Sequence, residues 1–541
     1  MRGRQVKGVV VAPEPRAAEI GADVLRAGGN AFDAAVATAF AQTVLNPFQC
    51  GLGGWGGALA HDARTETVVD LAFPARIGSR MTPEMWADDV KGYTDVWNYA
   101  LFDDSRNMIG YTAVMTPGTV TGLGALHERF ATRPWAELLA PSIDVCEHGF
   151  DWPEYIAMYC RMPYMPGLPH PQEKYCATPE ARRLWMRSDG RMLERGDPYR
   201  NPDQAESLRA IARNGPSELA TGPLAQTVAA DFERNGAFVT REDLASYRER
   251  WSPPLEGSYR GLRVATSNLP AGGIILLQML KVLERFDLTE LEHNGPEHAF
   301  ALSATLAWAG VTRFRHLSDP EQNEIPVDEL LSDAHADEIE ARIRAGVLPD
   351  AIALGKPSGT TQLVAVDEQG NCVSLTHTLT SCSGVVVPGT GFTWNDCVAL
   401  MDPIPGRPNS YVPGRARASA LAPTIVFRDG KPWFVLGAPG GWSVTSGVLQ
   451  QISNVVDFGM SPVEAVVAPR LHSEGTPVFS EARIPQRTVD ALSDRGMPVE
   501  QSLYAYHASF SRPQSVLVTE SGYRAASDPR SDGGAAMESR G

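Results

Sequence analysis

The pattern of apolar and polar positions near the amino terminus predicts two consecutive helices. Residues 16–25 carry apolar side chains at helical spacing, and the glycine pair at 28–29 is typical of a helix end. Asn30 is a favourable N-cap for a second helix over residues 31–45, which is apolar on nearly every side. A helix of that kind is expected to lie buried between layers, and Pro47 marks its end.

The glycine-rich run GLGGWGG at residues 51–57 contains a GxGxxG match, which is the spacing of a dinucleotide-binding loop. Such a loop follows a strand and opens a helix. This run instead follows the second predicted helix and leads into strand-like residues at 58–61 and 67–73. The context therefore favours a junction between a helix and a β-hairpin over a cofactor site.

The rest of the chain divides into a helical middle and a strand-rich end. Residues 117–347 are mainly helical in pattern, with one β-like segment at 263–266, and frequent Pro and Gly at 151–171 predict an irregular surface excursion. The later pattern predicts two hairpins and then two helices. Their ranges are 361–366 with 372–378 and 424–427 with 432–436 for the hairpins, and 447–458 and 462–468 for the helices. An α/β fold with hairpins between helices follows.

Composition and charge narrow the range of partners. With 541 residues, 43% hydrophobic and 21% charged, the chain has the composition of a soluble globular protein. Its formal net charge of −16 and the lack of a Lys/Arg cluster disfavour binding to nucleic acid or to an anionic membrane. The apolar run at 9–12 is too short for a signal peptide, and no stretch reaches the roughly 18 apolar residues of a membrane helix. We expect a cytoplasmic protein.

Neither the cysteines nor the histidines show the spacing of a metal site. The seven cysteines form no Cys-x-x-Cys pair and are expected to be buried free thiols. His293 and His298 lie five positions apart, and no HExxH occurs. No metal and no cofactor is therefore predicted.

The candidate chemistry centres on Thr360, because the GxSxG, SxxK and P-loop signatures are absent from the chain. The segment KPSGTTQLVAVD at 356–367 places a small Ser-Gly step before a threonine that begins a predicted strand. Cleavage between Gly359 and Thr360 would give Thr360 a free α-amine, with a pKa of about 8, to activate its own hydroxyl. Taken alone, a threonine at the start of a strand is also an ordinary β-former.

Several separated segments together resemble the γ-glutamyltransferase (γ-glutamyltranspeptidase) family of N-terminal-nucleophile hydrolases. They span almost the whole chain and include the glycine run at 51–57 and the pair Thr360-Thr361 with the hairpin after it. The other segments are RAAEIGADVLRAGGNAFDAA at 16–35, PGTVTG at 117–122, APTIV at 422–426, GAPGG at 437–441 and ASDPR at 526–530. Each segment is common alone, and their order and spacing carry the resemblance.

The resemblance implies roles for four catalytic residues. Thr360 matches the nucleophile that self-cleavage between Gly359 and Thr360 creates. Thr378 matches a second threonine whose hydroxyl supports the nucleophile and its amine. Gly440 and Gly441 match the glycines whose backbone N–H groups stabilise the oxyanion, and glycine lets the backbone come close to it.

The resemblance also implies a four-layer αββα sandwich with Thr360 at the end of a central strand. Cleavage would separate a large subunit, residues 1–359, from a small subunit, residues 360–541. The two would remain one folded unit because both contribute strands to the sheets. The expected partners are a small-molecule acyl amide or peptide-like substrate and the other subunit of the precursor, with room for a homo-oligomer of the processed heterodimer.

The positions that would bind the carboxylate of a γ-glutamyl group depart from the family pattern. The family's Asp-Phe-Arg-Glu falls on DLAF at 70–73, so the carboxylate-binding arginine is missing from its own place. Arg76 and Arg80 follow closely and are candidates to replace it. Of the family's serine pair, Ser419 is retained and its neighbour is Ala420.

The positions that would bind the glutamyl amine depart further. The family's asparagine corresponds to Thr380, and its Asn-Asn-Gln-Met-Asp-Asp corresponds to NDCVAL at 395–400, so that the amine-binding aspartate is absent. Asp396 and Asp402 are the acidic residues that could replace it. A pocket that binds a zwitterion needs partners for both charges, so we expect poor use of glutathione. The Pro-rich loop at 402–417 is a candidate lid.

Three functions agree with these features. The first is a self-processing amide hydrolase or acyltransferase that acts on a γ-glutamyl-like or other acyl group through an acyl-enzyme on Thr360. The second is a carbon–carbon bond hydrolase of a natural-product pathway that uses the same nucleophile. The third is an inactive binding relic, which would have no reason to keep Thr360, Thr378, Gly440 and Gly441 together. The first two share the acyl-enzyme step and stay open.

Overall fold

The computed structural model of the chain describes residues 7–94, 99–161, 167–349 and 359–537. Ser358, the residue before the expected cleavage pair, lies outside the described residues. None of the helices described here is long and apolar enough to cross a lipid bilayer. In chain order the α-helices are α1 (Pro15–Arg26), α2 (Ala31–Leu45), α3 (Thr119–Phe130), α4 (Trp135–His148), α5 (Glu154–Cys160), α6 (Pro171–Tyr175), α7 (Pro179–Trp185), α8 (Pro202–Asn214), α9 (Pro223–Arg234), α10 (Arg241–Ser246), α11 (Gly273–Leu283), α12 (Pro296–His316), α13 (Val327–Leu330), α14 (Asp333–Arg344), α15 (Val444–Val456), α16 (Pro462–Val467) and α17 (Gln486–Asp494).

The strands fall into two large and two small sheets. In chain order they are β1 (Gly8–Ala12), β2 (Trp55–Asp62), β3 (Thr67–Phe73), β4 (Phe150–Asp151), β5 (Pro198–Tyr199), β6 (Arg250–Ser252), β7 (Leu255–Tyr259), β8 (Leu262–Thr266), β9 (Thr361–Asp367), β10 (Cys372–Thr378), β11 (Thr424–Arg428), β12 (Lys431–Gly437), β13 (Leu471–His472), β14 (Val478–Ser480), β15 (Val499–Gln501), β16 (Gln514–Thr519), β17 (Gly522–Ser527) and β18 (Gly534–Met537).

The two large sheets form the centre of the fold and pack face to face. One has the strand order β18-β1-β9-β10-β2-β3-β6 and the other β17-β16-β12-β11-β8-β7, and neighbouring strands are antiparallel in both. Apolar residues of both sheets, including Val364 and Ile425, share one core between them. Helices α2, α3, α4 and α8 cover the outer face of the first sheet, and α11, α12 and α15 cover that of the second. The predicted four-layer αββα sandwich is confirmed.

Helices α1 and α2 lie where the sequence pattern predicts them. The Asn30 side chain accepts hydrogen bonds from the backbone of α2, and the Asp33 carboxylate accepts one from the Asn30 N–H, which is a complete capping box. Asp33 also accepts from the backbone N–H groups of Thr132 and Arg133 at 2.9 Å. Every residue of α2 is buried, as its apolar composition predicted.

The glycine run at 51–57 is the predicted junction between helix α2 and strand β2. Its glycines allow backbones to pack closely, since a Cβ on Gly53 would lie 2.6 Å from the carbonyl oxygen of Thr393. A Cβ on Gly56 would lie 2.3 Å from the carbonyl oxygen of Thr376 in the neighbouring strand β10. These contacts explain the glycines by packing rather than by a bound cofactor.

Some elements differ from the sequence prediction. Strand β1 is built from the short apolar run near the amino terminus, and β6 and β7 add to the single β-like segment predicted in the middle of the chain. Residues 151–171 were predicted as a surface excursion, but they contain helix α5 and the fully buried Trp152. Trp152 packs with Phe48 and Trp185 in an aromatic cluster. These partners lie far apart in sequence, so no local pattern could reveal them.

Strands from both sides of the Gly359–Thr360 bond share the first sheet. Strand β9, which directly follows Thr360, lies between β1 and β10, and β10 pairs in turn with β2. The strand order therefore interleaves the two expected subunits. Separating them would break the hydrogen bonds of four strand pairs among the described residues: β18–β1, β1–β9 and β10–β2 in the first sheet, and β11–β8 in the second.

Candidate active site

Thr360 is buried at the start of strand β9, next to the peptide carbonyl that precedes it. Its Oγ1 lies 2.6 Å from the carbonyl oxygen of Gly359 and 3.2 Å from Oγ1 of Thr378. Its backbone N–H donates to Oε1 of Gln49 at 2.9 Å. Only 5% of the residue is exposed. A hydroxyl group is thus held beside a carbonyl group in a largely dry environment, which strengthens polar interactions.

Thr378 ends strand β10 and points at the same carbonyl. Its hydroxyl donates to the Gly359 oxygen at 2.6 Å and accepts from the backbone N–H of Thr380 at 2.7 Å. Thr380 has φ of 72°, a strained value for a non-glycine residue, which turns the chain just beyond the strand. The strained turn aims the Thr380 N–H at the Thr378 hydroxyl, so that the hydroxyl proton is directed to the carbonyl.

Gly440 and Gly441 form a left-handed turn between strand β12 and helix α15. Their φ angles are 144° and 57°, and a Cβ on Gly440 would lie 2.5 Å from Cα of Ser511. Neither N–H has a hydrogen-bond acceptor within the described part of the chain. Gly441 lines the cavity that contains Thr360. The turn therefore presents free backbone donors at the edge of the site, where an oxyanion could accept them.

A small cavity lies beside Thr360 and adjoins a larger one. The small cavity measures about 20 Å³, and the larger one measures about 390 Å³ and shares Tyr99, Leu400 and Trp442 with it. The described residues that line the small cavity are Trp55, Tyr99, Thr360, Thr378, Thr380, Leu400, Arg417, Ser419, Ala420, Leu421, Gly441 and Trp442. In the uncleaved chain the space is close to that of a single water molecule.

Of the residues expected to bind substrate, Thr380 and Ser419 line this cavity. The Thr380 hydroxyl accepts a hydrogen bond from Nε1 of Trp55 at 3.3 Å and contacts Sγ of Cys397 at 3.2 Å. Burial raises the pKa of the Cys397 thiol to about 12, which keeps it neutral. Thr380 therefore belongs to the wall of the site.

Asp396 lies beneath the site rather than in it. Its carboxylate is fully buried, forms an ion pair with Nζ of Lys174 at 2.6 Å and accepts from the backbone and hydroxyl of Ser381. It is not among the described residues that line the cavity. With its charge already neutralised, Asp396 is poorly placed to bind a substrate ammonium group.

Arg80 and Arg76 also lie outside the cavity lining. The Arg80 side chain is 46% exposed and pairs with Glu233 at 3.4 Å on the protein surface. Arg76 pairs with Glu321 at 3.0 Å and donates to the carbonyl oxygen of Gly414. Neither arginine is brought to Thr360.

Two residues at the site were missed by reasoning from the sequence. Gln49 follows the end of helix α2 and holds the Thr360 N–H. Arg417 lines the cavity two positions before Ser419, and an extended segment places residues at that spacing on the same side. The Arg-x-Ser spacing was the signal that could have indicated Arg417. Within the described ranges no group of three or more His, Cys, Asp or Glu side chains is placed to hold a metal ion.

A four-layer αββα sandwich in which a threonine opens a central strand beside a peptide carbonyl defines an N-terminal-nucleophile hydrolase. The family model described as gamma-glutamyltranspeptidase matches residues 17–538. The chain belongs to the gamma-glutamyltranspeptidase family.

Individual relatives agree with this assignment. A glutathione hydrolase proenzyme of Escherichia coli K12 is 30% identical, with 98% of this chain and 91% of the relative covered. The acylase ACY 1 proenzyme of Pseudomonas sp. strain SE83 is 33% identical, with 92% and 88% covered. The cephalosporin acylase structure from Bacillus halodurans superposes with a TM-score of 0.84 at 27% identity, covering 99% of this chain and 96% of that one.

These relatives bear on the three functions that were considered from the sequence. They are hydrolases and acylases described as proenzymes, so the chain is a self-processing hydrolase or acyltransferase of this family. A carbon–carbon bond hydrolase and an inactive binding relic are not favoured.

Replacing Thr378 with valine is expected to slow self-processing by about 10²- to 10³-fold, the usual loss when one donor to a developing oxyanion is removed. Valine keeps the shape of threonine but cannot donate to the Gly359 oxygen. The loss of full-length chain after synthesis, followed by denaturing electrophoresis, measures the rate. Thr378→Ser is the matched control and should process within several-fold of the parent. Equal processing rates for Thr378→Val and the parent protein would show that the Thr378 hydroxyl does not assist self-processing.

Proposed function

We propose that Thr360 is the nucleophile, and that the chain first cuts itself between Gly359 and Thr360. The observation that carries this proposal is the contact between the Thr360 hydroxyl and the Gly359 carbonyl oxygen, to which the Thr378 hydroxyl also donates. Two hydroxyl groups thus converge on one peptide bond. A threonine that only begins a strand would not need a second hydroxyl group, that of Thr378, at the same carbonyl oxygen.

The self-cleavage follows from this arrangement. Oγ1 of Thr360 attacks the carbonyl carbon of Gly359, and the charge that develops on the carbonyl oxygen is met by the Thr378 hydroxyl. The C–N bond breaks as the Thr360 nitrogen takes up the proton that the attacking hydroxyl has given up, which leaves an ester between the two residues. Water then hydrolyses the ester. The products are residues 1–359, ending in a carboxylate, and residues 360–541, beginning with a free amine.

The freed amine makes Thr360 ready for turnover. It can remain bound to Oε1 of Gln49, which already accepts from this nitrogen, and it takes the proton of the Thr360 hydroxyl. The hydroxyl oxygen attacks the carbonyl of an acyl amide, and the N–H groups of Gly440 and Gly441 stabilise the oxyanion. The amine of the substrate leaves with the proton. Water, or another amine, then releases the acyl group from the ester.

The substrate class follows from the charges around the cavity. Among the described residues that line it, none is Asp or Glu, so a glutamyl ammonium group would find no carboxylate there. An acyl group without an α-amine fits better. This agrees with relatives named for acylase activity as well as for glutathione hydrolysis. We therefore assign a small-molecule acyl amide as substrate, with hydrolysis or transfer of the acyl group as the reaction.

The purified recombinant protein is expected to migrate as two bands in denaturing electrophoresis. Amino-terminal sequencing of the smaller band should begin at Thr360, and intact-mass measurement should match residues 360–541. Under native conditions the two fragments should elute together, because their strands alternate in the first sheet. A single full-length band that hydrolyses acyl amides at the full rate would contradict the proposal.

A further inference from the structure

Arg417 is a buried cation that has no anionic partner among the described residues. The residue is only 6% exposed, and its guanidinium carbon lies 4.4 Å from the ring centre of Trp55 and 5.8 Å from that of Trp442. Its Nε is buried without a hydrogen-bond partner, and the guanidinium forms no ion pair within the described part of the chain. Burial lowers the pKa of Arg417, as expected where a charge is taken out of water without a close counterion.

Other buried arginines in the described part of the chain have at least one carboxylate or carbonyl acceptor. Arg470 pairs with Asp528 at 2.6 Å, and Arg530 pairs with Asp528 and Glu481. Arg512 donates from both terminal nitrogens to carbonyl oxygens, one of them that of Thr360, although its Nε has no partner. These three arginines therefore donate to carboxylate or carbonyl oxygens of the protein itself. Arg417 differs because its guanidinium has no acceptor among the described residues, and because it lines the cavity that contains the candidate nucleophile.

The surroundings of Arg417 select a flat anion. Two indole rings pack against the guanidinium, which holds it by cation–π interaction without neutralising it. The edge of a guanidinium matches a carboxylate through two parallel hydrogen bonds. The Ser419 hydroxyl lines the same cavity and can donate a further bond. No carboxylate of the described cavity lining competes for the site.

We propose that Arg417 binds a carboxylate at the far end of the acyl group, so that the substrates are amides of short dicarboxylic acids such as glutaric acid. This assignment rests on the proposed function, in which the reacting carbonyl of the acyl group meets Thr360. Release of Gly359 by self-cleavage frees space beside Thr360 for the acyl chain. The aromatic residues Trp55, Tyr99 and Trp442 enclose its methylene groups.

The larger cavity is placed to hold the amine that leaves. It adjoins the acyl site through Tyr99, Leu400 and Trp442 and has room for a small organic group. Its one acidic residue in the described lining, Asp402, is paired with Arg407 at 3.1 Å. A neutral or aromatic amine therefore fits this side, which makes nitroanilides suitable probes.

The test compares two anilides that differ only in the terminal carboxylate, glutaryl 4-nitroanilide and pentanoyl 4-nitroanilide. The parent enzyme is expected to prefer the glutaryl compound. Arg417→Met should lower kcat/KM for the glutaryl anilide by roughly 30- to several-thousand-fold, the loss typical of a buried charge pair, and change the pentanoyl value by about threefold or less. Arg417→Lys keeps the positive charge but lacks the two parallel donors of the guanidinium. Its kcat/KM for the glutaryl anilide should therefore lie between those of the parent and of Arg417→Met.

Controls separate a binding role from a structural one. Arg428 also stacks on a tryptophan, Trp433, at 3.7 Å, but lies outside both cavities, so Arg428→Met should leave both anilides unchanged. Every variant should still process itself into two chains, which reports on the proposed function independently. Equal losses of Arg417→Met on both anilides, or a parent enzyme without preference for the glutaryl compound, would overturn the assignment while leaving Thr360 as nucleophile.

Discussion

Replacing Thr360 with alanine is expected to leave one uncleaved polypeptide and to lower the hydrolysis of acyl amides by about 10⁴-fold or more. The alanine variant lacks the oxygen that attacks the Gly359 carbonyl, and without cleavage no α-amine is formed at residue 360. Both the nucleophile and its base are therefore lost together. Denaturing electrophoresis reports on cleavage, and nitroanilide release reports on turnover.

Thr360→Ser is the matched control for this experiment. Serine keeps the hydroxyl and, once cleavage has occurred, the free amine, so the variant should process itself and retain measurable activity. Both variants should fold, because the replaced side chain is small and strand β9 is held on both sides by β1 and β10. Parent-like turnover by the alanine variant would mean that another residue is the nucleophile.

The enzyme is expected to prefer a glutaryl anilide over the matched γ-glutamyl anilide by roughly 30- to several-thousand-fold in kcat/KM, the cost of burying an ammonium group without a partner. The two compounds differ in one α-amino group. At the site this group would face Arg417 and find no carboxylate in the described cavity lining, while Asp396 is already paired with Lys174. Steady-state kinetics on the two anilides measure the ratio.

Asp402 provides the control for this second prediction. It lies in the larger cavity and is bound by Arg407, and Asp402→Asn should leave the glutaryl to γ-glutamyl ratio unchanged. A parent enzyme that prefers the γ-glutamyl anilide would refute the prediction. If Asp402→Asn then removed that preference, the ammonium partner would be identified as Asp402.

The sequence by itself determined two helices, two hairpins and the family. Helical periodicity and the cap at Asn30 gave α1 and α2 to within one residue, and the Gly/Asn turns gave the hairpins β9–β10 and β11–β12. These features depend on residues close together in the chain, where propensity and capping act. The order of short motifs also indicated the family, which the match over residues 17–538 confirms.

Only the tertiary structure decided which charged residues reach the candidate site. The sequence predicted Arg80 and Asp396 as binding residues and missed Arg417. In the structure Arg80 lies on the surface, and Asp396 is neutralised by a lysine 222 positions away. Arg417 reaches the cavity because the loop before Ser419 runs along residues 75–77, where the Arg417 N–H donates to the Ala75 carbonyl. Such placements depend on contacts between distant segments, and a pocket is made almost entirely of them. The local pattern therefore fixes strands and helices, whereas the charge that a substrate meets is set by how they pack.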